Sequence, residues 1–403
     1  MIKRVPVTAL EVGMYITDLN NDWIPHNTRN RRGFLRNEAT IAKIHQMGVD
    51  FVYIDTNKGK DTQDSEPARE VDARNAALLD DVGALKPLPK RVRPLADEMV
   101  IAQQIHGEAQ NLVGNVLRDV KLGHAINITP FNELATELQE SVFRNHNALS
   151  CLGRIRDKDN YLMEHSVNLS VLMSLFGKAM GCSNDVQHQT IIGALLHDIG
   201  KILTPEEILH KPGRLTAAEF EEMKAHARHS RDILLATEGI GELTVLTAAQ
   251  HHEKMDGTGY PEGLRGDEIS VYGRMVAISD VYDAITADRV YHKGMTPTQG
   301  LKKLMEWSGP HLDPQLVRQF IRCIGLYPVG SLVLLESGRL GVVVESNDDD
   351  QRLPVVRVMY HTKFRMPITV ETLDLAIPGC QDRIVRAVDP ADYQINLKKF
   401  LAA

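Results

Sequence analysis

The chain has 403 residues, 43% hydrophobic and 25% charged, with 29 Gly and 18 Pro; this length holds two or three domains, and the composition excludes collagen-like and disordered classes. Forty-six basic against 53 acidic residues leave a formal charge of −7, so no global basic field gathers DNA, RNA or anionic lipid, and an anionic ligand has to be held locally. The four cysteines, Cys151, Cys182, Cys323 and Cys380, lack CxxC spacing, which speaks against a disulfide framework or thiolate zinc site and for plain buried or neutral thiols.

No apolar stretch approaches the roughly 20 residues of a membrane span. The opening segment MIKRVPVTALEVGMYITDL is interrupted by Pro6 and Glu11 before a signal-type apolar core forms, so the expectation is a cytoplasmic protein without membrane insertion. Residues 1–55 read as a small α/β module. NEATIAKIHQMG places Ile41, Ile44 and Met47 at helical spacing with Gly48 as a stop, and GVDFVYID is a strand. Polar TNKGKDTQDSEPARE places a linker at 56–70. Helical patterning then dominates from 71 to 325, the part up to 139 serving as a connector. Thr204, Pro205 and Glu207 predict a capping box with Pro at the first helical position, and Thr216 with Glu219 predicts another. After Pro328, VGSLVLLESGRLGVVVESNDDDQRLPVVRVMYHTK alternates β-formers with turn clusters, giving a small β-rich unit over 326–403. No fixed-period repeat is present.

Eight of the 16 histidines lie between His165 and His252. In QTIIGALLHDIGKIL, residues Ile191, Ile192, Leu195, Leu196 and Ile199 form an apolar stripe, leaving Gly193, His197, Gly200 and Lys201 on a polar, uncrowded face. His197 next to Asp198 supplies a nitrogen and a carboxylate able to bridge two cations, with Lys201 one turn on. An HD dipeptide alone is weak evidence. His226 and His229 share a helix face, so they are not both presumed ligands. His251 and His252 at a helix end put two nitrogens roughly 100° apart, enough to serve two neighbouring metal ions. DGTGYPEGLRGDEI is a Gly/Pro loop whose backbone can approach a phosphate closely. Asp280 lies in an apolar helical segment, where a carboxylate needs a partner or a metal. Arg289, His292 and Lys293 form a cationic cluster suited to phosphate.

HDIGK, then HH, GTGYP and SDVYDA, in this order and spacing, resemble the HD-GYP family of cyclic di-GMP phosphodiesterases over roughly residues 140–325. The opening RVPVTALEVGMYI resembles the poorly understood domain that often precedes such units. The resemblance implies a mainly α fold: a multi-helix HD-type metal-dependent phosphohydrolase bundle, flanked by the small N-terminal α/β module and the β-rich C-terminal unit. It implies metal ligands at His165, His197, Asp198, His226, His251, His252 and Asp280, with Asp198 bridging. It also implies Lys201 near the scissile phosphate, Arg289 and Lys293 facing substrate phosphates, and Gly259, Tyr260 and Pro261 shaping the pocket and a partner surface.

Some members place a Glu four residues before the first ligand histidine to hold a third metal. Here that position is Tyr161, and Glu164 would face elsewhere on the helix. Two divalent ions are therefore expected, iron or manganese, with zinc, nickel or cobalt as alternatives. The implied reaction is hydrolysis of cyclic di-GMP by a metal-bridging hydroxide, giving linear pGpG and then GMP and lowering a messenger that sets motility against biofilm. Two other readings stay open: an HD phosphohydrolase on another nucleotide, and a cyclic di-GMP sensor acting through protein partners. The oligomeric state, monomer or dimer, is also open.

Overall fold

The computed structural model describes residues 1–21, 32–83, 91–155, 161–211, 213, 215–288 and 294–401. The N-terminal module contains β1 (Ile2–Pro6), β2 (Tyr15–Asp18), β3 (Gly33–Phe34), α1 (Glu38–His45), β4 (Phe51–Asp55) and β5 (Glu66–Pro67). Its antiparallel sheet runs β3-β2-β4-β1-β5. Asn37 caps α1 by accepting the Thr40 N–H. Ile41 and Ile44 then pack with Val5, Met14, Val52 and Ile54 in a core separate from that of the helices. The polar stretch after residue 55 contributes edge strand β5, where Glu66 pairs with Arg4; a two-residue strand has no alternation to read.

Eleven further helical segments are described before the second sheet, beginning with α2 (Ala68–Gly83), α3 (Leu95–Lys121), α4 (Thr129–Leu152), α5 (Tyr161–Ala179) and α6 (Asn184–Leu196). They continue with α7 (Glu206–Leu209), α8 (Ala217–Leu235), α9 (Glu242–Ala249), α10 (Val271–Thr286), α11 (Pro297–Glu306) and α12 (Pro314–Ile324). Helix α5 is central, packing on α3, α4, α6, α10 and α12, and residues 164–178 are buried on every side. Among the described residues, no helix is long and apolar enough to cross a membrane.

The expected uncrowded polar face of α6 is instead buried. The α-helix stops at Leu196, α5 covers one side and α9 the other, and His197 is 0% exposed. The capping box at Thr216 and Glu219 forms. The one expected at Thr204 does not: Thr204 closes the preceding 3-10 turn through its N–H to the Lys201 carbonyl, and α7 starts after Pro205 without a side-chain cap.

The C-terminal unit has β6 (Leu332–Leu335), β7 (Arg339–Glu345), β8 (Val355–His361), β9 (Met366–Asp374) and β10 (Ile384–Ala387), then α13 (Lys398–Leu401). Its antiparallel order is β10-β6-β7-β8-β9. Alternation along β7 sends Leu340, Val342 and Val344 to a core shared with Cys151, and Val343 to the opposite face with Val356 and Val358. The two buried thiols, Cys151 and Cys323, are free, as are Cys182 and Cys380.

Gly200 brings α8 against the turn after α6. A Cβ on Gly200 would lie 2.2 Å from the His226 carbonyl oxygen and 2.4 Å from the Ser230 nitrogen, while its N–H donates to Ser230 Oγ at 2.9 Å. Both close atoms are backbone, so the helix itself would have to move. Gly200→Ala is expected to destabilise the fold by about 1–3 kcal/mol through overpacking, measured by denaturant unfolding; an unchanged midpoint would show that α8 is not held by this approach.

Candidate metal centre

Five segments deliver the implied ligands to one buried site: His165 from α5, His197 and Asp198 from the end of α6, His226 from α8, His251 and His252 just beyond α9, and Asp280 from α10. The chain arranges the imidazoles locally. In His197, His226 and His251, Nδ1 bonds the carbonyl three residues back, Ala194, Met223 and Ala248, at 2.8, 2.6 and 2.6 Å. A carbonyl can only accept, so Nδ1 carries the proton and Nε2 presents its lone pair inward. His165 is held differently, with Nδ1 2.7 Å from Asp283 Oδ2.

Asp198 lies between these rings. Its Oδ1 is 3.4 Å from His226 Nε2 and 3.8 Å from His251 Nε2; its Oδ2 is 3.2 Å from His197 Nε2 and 4.0 Å from His165 Nε2. Asp280 spans the other side, Oδ1 3.0 Å from His165 Nε2 and Oδ2 3.7 Å from His252 Nδ1. Three donor groups could each hold an ion: His226, His251 and His252; His165, His197 and Asp280; and His197, Asp198 and His251.

The residues fit divalent cations. His226 and His251 bring their Nε2 atoms within 3.3 Å, and two lone pairs facing each other need a shared cation rather than a hydrogen bond. His197 Nε2 and Asp198 Oδ1 are buried without a hydrogen bond among the described residues. Burial lowers His226 to about 4 and His251 to about 3, and pushes His252 well down, so these rings are neutral at pH 7 as ligation requires. Burial alone would raise the Asp198 carboxyl, but His197, Lys201 and His226 hold it well below the usual carboxylate range. Burial opposes a charge on His165, yet Tyr161, Asp280 and Asp283 raise it well above the ordinary histidine value.

Lys201 Nζ sits 2.5 Å from Asp198 Oδ2, at the edge of the ligand cluster. Tyr161 stacks on His165, ring centroids 5.8 Å apart and nearly parallel. Glu164 turns away toward His106, 3.6 Å from its Nε2. The Tyr260 ring lies 4.6 Å from that of His252, and its N–H donates to the His252 carbonyl. Gly259 presses so closely on Glu253 and Lys254 that a Cβ would meet the Lys254 nitrogen at 2.4 Å. His229 is half-buried and is in none of the three donor groups. Arg289 and Lys293 lie outside the described residues.

Two supporting residues escape the sequence reading. Asp283, 0% exposed, orients His165 and accepts from Asn168 Nδ2. Its position three residues after Asp280, on one helix face, was a usable signal. Glu253 is also buried and gathers the N–H groups of Glu262, Gly263 and Leu264 at 2.8, 3.2 and 3.0 Å, clamping the glycine-rich loop. A carboxylate just before a loop rich in free N–H groups was its signal.

A family model described as an HD domain matches residues 151–316, and one for a domain of unknown function, DUF3391, matches residues 2–131. A cyclic di-GMP phosphodiesterase of Pseudomonas aeruginosa is 38% identical over 393 residues, spanning 97% of this chain and 93% of that protein. A 3′3′-cGAMP-specific phosphodiesterase of Vibrio cholerae is 35% identical over 45% of this chain and 39% of its own length. A cyclic di-GMP phosphodiesterase of Thermotoga maritima is 34% identical over 47% of this chain and 51% of its own length. The last two thus share about half their length or less with this chain.

Asp283→Asn keeps the volume but removes the charge behind His165. It is expected to weaken divalent-metal binding about 10- to 100-fold without unfolding, measured by metal titration; affinity within twofold of the unmodified chain would exclude a positioning role. Metal held through His165 Nε2 must displace the proton shared with Asp280, so apparent affinity should fall as the pH is lowered. Titration at about pH 8 and about pH 6 checks this, and equal affinities would remove His165 from the ligand set.

Proposed function

This chain belongs to the HD-GYP family of HD-domain proteins, and we propose that it is a metal-dependent phosphodiesterase that hydrolyses cyclic di-GMP. The observation that carries the proposal is the convergence of five histidines and two aspartates with their donor atoms inward, together with the full-length likeness to the Pseudomonas enzyme. In this reading His165, His197, Asp198, His226, His251, His252 and Asp280 would hold two divalent ions. A ligand set of imidazole and carboxylate without thiolate suits iron or manganese, and also admits zinc, nickel and cobalt. Such ions supply a water activated at neutral pH and positive charge facing the phosphoryl oxygens.

The chain's own residues do the rest. Lys201 places a fixed cation at the cluster, where a phosphodiester oxygen gaining charge is stabilised. Burial and the nearby Asp280 and Asp198 keep the Tyr260 phenol well above its ordinary pKa, so it stands in the pocket as a neutral ring. Glu253 fixes the loop that carries Gly259 and Tyr260. Arg289 and Lys293 are proposed to meet substrate phosphates. Tyr161, stacked where a third-metal carboxylate would stand, limits the site to two ions and favours release of linear pGpG ahead of the second cut to GMP. The protein would act in the cytoplasm, lowering a messenger that opposes motility.

The likeness to the Vibrio cGAMP enzymes favours a second reading, hydrolysis of a mixed cyclic dinucleotide on the same metals. A role as a sensor alone fits less well, since a receptor gains nothing from seven inward donors. Protein loaded anaerobically with Fe(II) or Mn(II) is expected to convert cyclic di-GMP to pGpG faster than to GMP, followed by chromatography, with 3′3′-cGAMP in parallel. Asp198→Ala should lower turnover by about a hundredfold or more. Metal-replete protein that binds cyclic di-GMP without product would overturn the enzymatic reading, and preference for cGAMP would reassign the substrate.

A further inference from the structure

The N-terminal module lines part of the cleft at the metal-ligand cluster. It has a volume of about 500 Å³; His252 and Asp280 form its floor, Phe220, Lys224, Tyr260 and Trp307 stand along its sides, and the turn from His45 to Gly48 lines it as well. That turn joins α1 to β4. Gly48 takes φ +66° with open space around it, Ile44 and Val49 anchor it in the module's core, and the His45 and Gln46 side chains are exposed. Neither makes a side-chain hydrogen bond among the described residues.

The module is held to the helical domain at two points. On one side Asn20 Oδ1 accepts from Lys303 Nζ at 2.8 Å and from Trp307 Nε1 at 3.2 Å. On the other, two residues beyond Gly48, Asp50 Oδ2 lies 3.1 Å from His311 Nε2. Trp307 and His311 themselves line the cleft, so the contacts that dock the module are also walls of the site.

We propose that His45 and Gln46 are substrate-contacting residues that recognise the edge of a nucleobase of the cyclic dinucleotide. A phosphodiester on the floor leaves its attached bases to extend outward along the cleft. Aromatic rings along the sides suit the face of a purine, which stacks with little regard to sequence. The edge of guanine offers the O6 and N7 acceptors and the N2 donor, and a glutamine amide can both donate and accept. Those two exposed polar side chains add amide and imidazole groups to a wall where the catalytic domain supplies rings and aliphatic surface together with the charges of Lys224, Lys254 and Glu221. This inference rests on the dinucleotide phosphodiesterase reading and adds the N-terminal module to its substrate site.

The test uses the full chain loaded with Mn(II), comparing cyclic di-GMP with bis(p-nitrophenyl) phosphate, a diester without nucleobases. In Gln46→Ala and in His45→Ala, KM for cyclic di-GMP is expected to rise about tenfold with kcat little changed, so the ratio of kcat/KM between the two diesters falls about tenfold. A loss shared equally by both diesters, or an unchanged KM for cyclic di-GMP, overturns base recognition by the turn. An unmodified chain that cleaves the simple diester but neither binds nor cleaves any cyclic dinucleotide overturns the functional reading, and this inference with it. Failure of the inference alone is therefore distinguishable, because it appears only in variants of a chain already active on cyclic di-GMP.

Discussion

Asp198 is a carboxylate 2% exposed to solvent, and the architecture follows from what such burial demands. An isolated ionised carboxylate in an apolar core is prohibitively costly, so it must be paired, hydrogen-bonded or bound to cations. The chain surrounds it with Lys201 and four imidazoles. Three of those rings, at His197, His226 and His251, are fixed by the carbonyl three residues before them, and burial keeps His226 and His251 neutral. The short reach back to that carbonyl is a local property of helical backbone. Each segment thus orients its own ligand through its own backbone.

Bringing these segments together requires backbones to approach more closely than side chains allow. The turn after α6 meets α8 at Gly200, without a Cβ between them, which carries His226 to Asp198. Helix α9 packs on both α6 and α8, and the chain leaving it delivers His251 and His252. The supporting carboxylates then divide the work: Asp283 turns His165 from behind, and Glu253 collects three N–H groups of the loop that carries Tyr260. Neither reaches the centre of the site. Each sets the direction of a group that does.

Part of the implied ligand set was legible in the sequence because it forms short local patterns, with His197 and Asp198 adjacent, His251 and His252 adjacent, and Asp280 alone in an apolar helix, whereas His165, and His226 over His229, came only from the family resemblance. The helical bundle and the C-terminal alternation were legible for the same reason, since periodicity is a property of neighbours. What escaped the reading depends on tertiary placement. Thr204 has the right residue type for a cap, but the preceding turn already uses it. The polar face expected on α6 is buried because α9 covers it, which no window of residues around α6 reveals. Strand β5 exists only because β1 is there to pair with it. Asn20 and Lys303 are 283 residues apart, and nothing near either one announces the contact.

That last contact bears on the cleft itself. A cleft with its floor in one folding unit and part of its wall in another is complete only while the two are docked. The docking contacts are unequal. Asp50 has a side chain 43% exposed at its pair with His311, and an ion pair in such a setting contributes about 0–1 kcal/mol. Asn20 and Trp307 are almost wholly buried, so their hydrogen bond is costly to leave unmade. If the turn contacts substrate as proposed, substrate affinity scales with the fraction of molecules that have the wall in place, so it is set by the hold of Asn20 on Trp307 as well as by the residues around Asp198.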